Sequence, residues 1–275
     1  MARIEAGQGG RPILLVHGLT GGKVDFVEWL EPLAELGWHA VAPDVRGHGE
    51  TGGPRDLDEY SAERIVDDLV ALADEFGWES FVVLGHSLGG VFVQHLALRH
   101  PDRLTGLILM DTAHGPVDWI PTELLEVGVA IALTDGMAAL SDAIAAVVPP
   151  PVDTPVQRAL RERRPDLVAE DRSKFVDTVP EMFAAGARLL AEGPDRLDLL
   201  TALDLPTLVL VGELDAPFFD QSHRLAQTLD DSTLVVLAGA GHSPQRETPE
   251  AWWQAVSSFL RRLGGDEHAE VQLSE

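Results

Sequence analysis

The chain has 275 residues, 45% of them hydrophobic, which is enough to bury a core in one large domain or in a domain that carries an insertion. Its formal net charge of −25 argues against binding to nucleic acid or to an anionic membrane surface, because both need a basic face. The absence of cysteine excludes disulfides, thiolate nucleophiles and cysteine-based metal sites. Residues 1–10 lack the apolar stretch of a secretory signal, and no apolar run is long enough to span a bilayer, so we expect a cytoplasmic protein.

Short apolar runs bounded by turn residues recur along the chain and predict strands that are buried on both faces. In chain order they are Ile13–Val16, Ala40–Ala42, Phe81–Leu84, Leu107–Met110, Leu208–Val211 and Leu234–Leu237. Helical patterns lie between most of them. Ser61 is expected to cap a helix over Ala62–Phe76, and Thr248 and Pro249 to begin a last helix that Gly264 closes. This alternation predicts an α/β fold with a mostly parallel, doubly wound sheet.

The alternation lapses after the strand that ends near Met110. Residues 113–199 are rich in Ala, Leu and Val at helical spacing and contain no convincing strand. We therefore expect a discontinuous core formed by residues 1–112 and 200–264, with a helical cap at 113–199. The polar segment 265–275 is expected to be a disordered tail.

One stretch carries a strong chemical signal. The strand ending at Leu84 is followed by Gly85-His86-Ser87-Leu88-Gly89, the G-x-S-x-G pattern, and then by a helical segment. In a sharp strand-to-helix turn, side chains two residues before and after the serine would collide, so glycine is needed at both positions. The turn exposes the Ser87 hydroxyl as a nucleophile and places the Leu88 backbone N–H at a helix N-terminus, where it can bind a developing oxyanion.

A serine hydroxyl needs a base and a carboxylate that orients the base. His242 follows the apolar run that ends at Leu237 and is the candidate base; Asp215, three residues past Gly212, is the candidate acid. The order Ser, Asp, His along the chain is the one expected of this turn type. Asp111, directly after the strand ending at Met110, is the alternative acid, because a carboxylate there can also reach the histidine loop.

A second oxyanion donor is expected from the loop after the first long strand, where the Leu19 backbone N–H fits. No pairing of histidine with carboxylate shows the spacing of metal ligands in a site context, so the sequence predicts no metal site.

Several motifs together resemble a known family. They are HGLTGG from His17, DVRGHG from Asp44, GHSLGG from Gly85, GELD from Gly212 and AGAGHS from Ala238. In this order they resemble the α/β-hydrolase superfamily, in its capped serine-esterase and lactonase-like branch. The resemblance implies a parallel sheet with a helical cap, no cofactor, and hydrolysis by acyl transfer. Branches that open epoxides or cleave carbon–halogen bonds carry Asp where Ser87 stands. The usual first hairpin is expected to be truncated, because only residues 2–5 can supply a strand before Ile13.

The sequence therefore predicts a serine hydrolase that cleaves a carboxylic ester or a related small acyl substrate through an acyl-enzyme. The apolar cap favours a small-molecule substrate with an apolar acyl or alcohol part, and the oligomeric state is left open. One alternative uses the same triad to hydrolyse a carbon–carbon bond beside a ketone, or an enol-lactone; a buried cap arginine such as Arg188 would favour it. A second is a non-catalytic ligand-binding protein on a hydrolase scaffold, against which the intact triad weighs.

Overall fold

The structure is a computed structural model that describes residues 1–118, 121–146 and 154–265. Within these ranges one seven-stranded sheet forms the centre of the molecule. Its strands are β1 (Arg3–Ala6), β2 (Arg11–Val16), β3 (Trp38–Pro43), β4 (Phe81–His86), β5 (Leu104–Met110), β6 (Thr207–Gly212) and β7 (Ser232–Leu237). The spatial order is β1-β3-β2-β4-β5-β6-β7; β1 pairs antiparallel with β3, and all other pairs are parallel. The predicted α/β fold with a mostly parallel sheet is confirmed.

Helices cover both faces of this sheet and fill the interval between β5 and β6. They are α1 (Val27–Glu35), α2 (Ala62–Glu75), α3 (Leu88–Arg99), α4 (Thr122–Asp135), α5 (Met137–Ala146), α6 (Pro155–Arg163), α7 (Pro165–Asp177), α8 (Pro180–Glu192), α9 (Leu197–Leu200), α10 (Ala216–Thr228), α11 (Pro244–Glu247) and α12 (Pro249–Gly264). None of the helices within the described ranges has the length and apolar character needed to cross a membrane.

The continuous apolar runs are explained by burial on both faces of the sheet. Successive strand residues point to opposite faces, so each strand supplies two cores. On one face, residues such as Leu14, Val83 and Leu109 pack with α2 and α3. On the other face, their sequence neighbours, such as Leu15 and Leu84, pack with α1 and α12.

Helix ends follow the sequence signals with two corrections, both in the last helix. The Ser61 hydroxyl accepts the backbone N–H of Arg64 and begins α2, as expected of a capping serine. The last helix begins at Pro249 as predicted, but the Thr248 side chain makes no capping hydrogen bond to it. Gly264 is the final helical residue, and the left-handed residue that closes the helix is Gly265, with φ of 77°.

The topology determines where a site can form. The chain passes from β2 outward to β3 and then crosses back to β4, so β2 and β4 are neighbours whose connections leave in opposite directions. A crevice opens at the carboxyl ends of such strands. The register places Val16 of β2 beside Gly85 of β4, and His86 beside Met110 of β5, so these strands end at one level.

Helices α4 to α9 occupy the interval between β5 and β6. Of these, α4 to α8 lie within residues 113–199, the segment that the sequence assigns to a cap, and α9 crosses the end of that segment. The domain limits 1–112, 113–199 and 200–264 remain our proposal. Of the tail expected to be disordered, residues 266–275 lie outside the described residues.

Candidate active site

Ser87 lies in the sharp turn between β4 and α3. Its φ of 54° and ψ of −121° are unusual for a residue other than glycine, and conformations of this kind cost on the order of 1–3 kcal/mol. A Cβ on Gly89 would overlap the backbone oxygens of Val16 and His17, and one on Gly85 would overlap the backbone of Gly89. Glycine is therefore required at both positions, because neighbouring backbone lies too close to leave room for a side chain.

The Ser87 backbone is held by the end of β5 and the residues just after it. Its N–H donates to the Met110 carbonyl at 2.9 Å, and its carbonyl accepts the Thr112 hydroxyl at 2.7 Å. These bonds hold the turn in its strained conformation against relaxation.

The loop after β2 passes directly beside Ser87. A Cβ on Gly18 would lie 3.0 Å from the Ser87 Cβ and 3.5 Å from its Oγ. The next residue is Leu19, the predicted second oxyanion donor. Leu88 is the first residue of α3, so its N–H has no partner within the helix. The two predicted donors thus belong to backbone on either side of the serine.

Two buried histidines support the loop after β2, which we call the oxyanion loop after the donor predicted in it. The Val45 N–H donates to His17 Nε2 at 3.1 Å, so the proton resides on Nδ1, which donates to the Gly18 carbonyl at 2.8 Å. His48 Nε2 donates to the Leu19 carbonyl. Burial, with His48 nearby, lowers the pKa of His17 to about 3, so this ring is neutral at physiological pH. A carbonyl and the N–H of the next residue point in opposite directions in a trans peptide, so the bond from His17 aims the Leu19 N–H away from His17.

Asp215 and His242 form a hydrogen-bonded pair. Nδ1 of His242 donates to Asp215 Oδ2 at 2.9 Å, leaving Nε2 as the basic nitrogen. The pKa of Asp215 is lowered although burial opposes ionisation, because the charge and hydrogen bond of His242 stabilise the carboxylate. The charge of Asp215 in turn raises the pKa of His242 against the opposing effect of burial. The Phe218 ring stacks on the imidazole with centroids 4.8 Å apart.

The histidine loop is tied to the nucleophile turn through His86, the residue before Ser87. His86 Nε2 donates to the His242 carbonyl at 2.6 Å, and the two rings lie 4.9 Å apart. The structure therefore brings Ser87, Asp215, His242 and the backbone of Leu19 and Leu88 to one end of the sheet. Their catalytic roles are developed as a proposal below.

Glu247 supports the histidine loop and was not identified by the sequence analysis. Its carboxylate accepts the backbone N–H of Gly241, and of Ser243 at 3.1 Å, so it binds the chain on both sides of His242. Gln157 of α6 donates to the same carboxylate at 3.0 Å. Nothing in the local sequence indicates that this glutamate, on a short helix, folds back onto the loop that precedes it.

A helix of the cap segment lies on the oxyanion residues. A Cβ on Gly186 of α8 would come within 2.6 Å of the side chains of Leu19 and Leu88. The contact is apolar, and the close approach is possible because Gly186, as a glycine, has no side chain. Met182, one turn earlier on α8, is fully buried beside it.

A cluster of charges joins the same segment to the core. Asp25, just after the oxyanion loop, accepts Lys174 of α7 and, at 3.0 Å, Arg246 of α11. Arg246 also binds Glu170 and Asp171 of α7, at 2.7 and 2.9 Å. The two cations lower the pKa of Asp25 to about 2 although burial opposes ionisation. We call Asp25, Glu170, Asp171, Lys174 and Arg246 the cap-core ion cluster.

Other sequence candidates lie elsewhere or are engaged. Arg188 is paired with Glu126 at 2.7 Å on the partly exposed side of α8. Asp111 is buried next to Asp215 rather than bonded to His242. Asp111, Asp215 and His242 each place one potential ligand atom within 4.8 Å of the others, a grouping able to hold a metal ion that linear spacing did not reveal. In this structure the His242 and Asp215 atoms bind each other instead.

The fold and the site define a hydrolase of the α/β class, and comparison with known proteins agrees. The sequence model of the alpha/beta hydrolase fold family matches residues 11–249. The chain is 26% identical to an enol-lactonase from Burkholderia xenovorans LB400, covering 94% of this chain and 95% of that one, with a TM-score of 0.81. It is 31% identical to a thermophilic esterase from Thermogutta terrifontis, covering 95% and 93%, with a TM-score of 0.80.

A curated relative, epoxide hydrolase A of Mycobacterium tuberculosis, is 26% identical over 94% of each chain. The protein belongs to the alpha/beta hydrolase fold family, and the resemblance to its esterase and lactonase-like branch is confirmed.

Proposed function

We propose that the protein is a serine hydrolase that cleaves a carboxylic ester or a related small acyl compound. The observation that carries this proposal is the serine at the strained turn, at φ of 54° and beside the Gly18–Leu19 peptide. A hydroxyl there suits attack on a carbonyl and formation of an acyl-enzyme, whereas epoxide-opening branches carry Asp at this position.

In the proposed reaction, Ser87 Oγ attacks the substrate carbonyl while His242 Nε2 takes its proton. Asp215 holds the imidazole in the Nδ1–H tautomer and stabilises the imidazolium. The Leu19 and Leu88 amides bind the tetrahedral oxyanion, and losing one such donor costs about 100- to 1000-fold in kcat. Collapse of the intermediate expels the alcohol, which receives the proton from His242. Water, deprotonated by His242, then attacks the acyl-enzyme and releases the acid and free Ser87.

The surroundings favour an uncharged, apolar substrate body. Leu19, Leu88, Met182 and Gly186 form the contact between α8 and the oxyanion backbone. The net charge of −25 supports a small-molecule partner rather than nucleic acid or an anionic membrane. We also propose a cytoplasmic location.

The carboxylate-bearing alternatives, enol-lactones and ketones cleaved at a carbon–carbon bond, need a cation for the substrate carboxylate. Three arginines that could take this role are already engaged. Arg188 pairs with Glu126, and Arg246 with three carboxylates of the cap-core ion cluster. Buried Arg196 donates to Gln94 and to the carbonyls of Ala113 and Pro194. Their engagement supports the simple ester.

The test is initial-rate hydrolysis of p-nitrophenyl esters from acetate to decanoate by the wild type, Ser87→Ala and the control Ser173→Ala. Ser173 is exposed on α7, and its hydroxyl donates to the Asp177 carboxylate at 3.2 Å. Hydrolysis lost in Ser87→Ala and kept in Ser173→Ala supports the proposal, and the chain-length optimum measures the acyl pocket. Equal hydrolysis in Ser87→Ala refutes the nucleophile. A wild type inactive on all esters but active on carboxylate-bearing lactones or ketones establishes the alternative.

A further inference from the structure

A second carboxylate lies against the acid of the proposed triad. Asp111 directly follows β5, is fully buried, and has φ of 45°, in the left-handed region that residues other than glycine seldom occupy. Its N–H donates to the Leu210 carbonyl at 2.9 Å, and its Oδ1 accepts the Gly212 N–H at 2.8 Å. The backbone of β6 thus holds Asp111 in place beside Asp215.

Each of the two carboxylates has one oxygen without a partner. Asp111 Oδ2 and Asp215 Oδ1 are buried, and neither has a hydrogen-bond partner among the residues that the structure describes. Buried polar atoms are almost always hydrogen-bonded, so the pair calls for an explanation. One proton explains both atoms: a protonated carboxyl on one residue donates to the carboxylate oxygen of the other.

The surroundings decide which residue holds the proton. Two adjacent buried carboxylates cannot both ionise without strong repulsion. Asp215 accepts the His242 Nδ1–H and lies at the N-terminus of α10, and both features favour its charged form. Asp111 receives a single N–H, from Gly212, and faces Asp215 and Glu247. Burial and the charge of Asp215 raise the pKa of Asp111 well above its usual range, while the charge and hydrogen bond of His242 lower the pKa of Asp215 against the opposing effect of burial.

We propose that Asp111 is a positioning residue that acts as a neutral carboxylic acid, its O–H donating to Asp215 Oδ1. This role rests on the proposed function. It fixes both oxygens of the Asp215 carboxylate, because Oδ2 binds His242 and Oδ1 binds Asp111. The imidazole orientation is then set by the β5–β6 backbone through Asp111 and Asp215. The titratable groups around this contact are Asp215, His242, Glu247 and His86. As pH rises through the pKa of Asp111, the donor becomes a second charge and the carboxylate pair loses its bond.

Two substitutions of Asp111 distinguish a neutral hydrogen-bond donor from an anion and from a side chain that only fills space. Asp111→Asn is neutral and of similar shape; its amide can donate to Asp215 and its carbonyl can accept from Gly212. Asp111→Leu has similar volume and no polar group. We expect Asp111→Asn to keep kcat within about threefold and to lose the decline at high pH that ionisation of Asp111 causes. We expect Asp111→Leu to lower kcat about 10- to 100-fold with little change in KM, because a misoriented base weakens the transition state more than substrate binding.

An Asp111→Asn variant as impaired as Asp111→Leu would show that Asp111 acts as an anion and would overturn the proposal. So would an Asp111→Leu variant that keeps the wild-type kcat and pH profile.

A readout without substrate keeps this test independent of the esterase proposal. Infrared difference spectra of the full chain at neutral pH should show the carbonyl stretch of a buried protonated carboxyl that Asp111→Asn lacks. A wild type without that band refutes the protonated acid even if ester hydrolysis is normal. A wild type with the band but no ester hydrolysis keeps the Asp111 assignment and rejects only the substrate. Circular dichroism of each variant confirms that it is folded.

Discussion

The electrostatics of the site are decided by single residues and their immediate partners. His242 has its Nδ1–H committed to an ionised carboxylate, and its side chain keeps 30% of its accessible surface, so Nε2 remains available to a substrate. His17 and His86 are buried instead, and burial lowers their pKa values, so they stay neutral and serve as hydrogen-bonding groups. Burial and neighbouring charge thus separate one basic histidine from two structural ones.

The raised pKa of His242 predicts the pH dependence of the reaction. Only the neutral imidazole accepts a proton, so kcat/KM should fall as pH decreases through a value above 6.5, the ordinary pKa of histidine. Asp215→Asn removes the charge that raises this pKa. We expect a kcat loss of about 10⁴-fold, with the acidic limb of the residual activity shifted to lower pH. The measurement is kcat/KM against pH for both proteins; an unshifted limb would show that Asp215 does not set the pKa.

His17 is predicted to act through the orientation of the Leu19 peptide. His17→Ala removes the bond to the Gly18 carbonyl, and we expect kcat on esters to fall about 10- to 100-fold with a small change in KM, less than loss of a donor itself. His39→Ala is the control, since His39 is also buried but lies near the amino end of β3 and pairs with Glu5. Equal kcat losses in the two variants would assign the His17 effect to general destabilisation.

At the scale of elements, each site residue stands where a strand has just ended. Parallel strands in register bring their carboxyl ends to one edge, so Ser87 after β4, Asp111 after β5 and Asp215 after β6 meet although they are distant in sequence. The loops need separate support, because their backbone groups are not paired by the regular hydrogen bonds that join neighbouring strands. His86 and Glu247 provide that support for the histidine loop.

Glu247→Gln tests this support. A neutral amide accepts hydrogen bonds more weakly than a carboxylate and has only one accepting oxygen for the Gly241 and Ser243 N–H groups. We expect a loss of about 2 kcal/mol in the free energy of unfolding and about a tenfold lower kcat. Urea denaturation and ester kinetics measure the two effects. Glu250→Gln, in the first turn of α12 and exposed, should leave both unchanged; a similar loss there would point to net charge instead.

At the scale of the whole molecule, the cap segment is held to the core by two kinds of contact. Gly186 of α8 packs against the oxyanion residues, and the cap-core ion cluster joins α7 to Asp25 and Arg246. Burying charges costs solvation, so such a cluster stabilises the docked arrangement only while every member is paired. Removing one member therefore affects the attachment of the cap as well as stability.

Asp25→Asn should destabilise the protein in a pH-dependent way. The pKa of Asp25 is lowered from 3.8 to about 2, so its ionised form adds stability that is complete above pH 3.8 and is lost as pH falls toward 2. We expect a loss of about 2 kcal/mol at pH 7 and a flatter acid dependence of stability. Asp142→Asn is the control, because its pair with Arg172 is exposed and should contribute less than about 1 kcal/mol. Urea denaturation at pH 7 and below pH 4 measures the free energy of unfolding of each variant. If Asp25→Asn leaves the decrease of that free energy with falling pH unchanged, the role of Asp25 is contradicted.

The sequence by itself determined the strands, the order of the motifs and the identity of Ser87, Asp215 and His242 as candidates, because hydrophobic runs and the glycines of a tight turn are local signals. It also named Asp111, but as an alternative acid. Only the tertiary structure decided that Asp111 bonds the β6 backbone and lies against Asp215, that Glu247 binds the chain around His242, and that Arg188 is engaged by Glu126. These are contacts between residues far apart in the chain, and their partners are chosen by sheet register and packing, which no local pattern encodes.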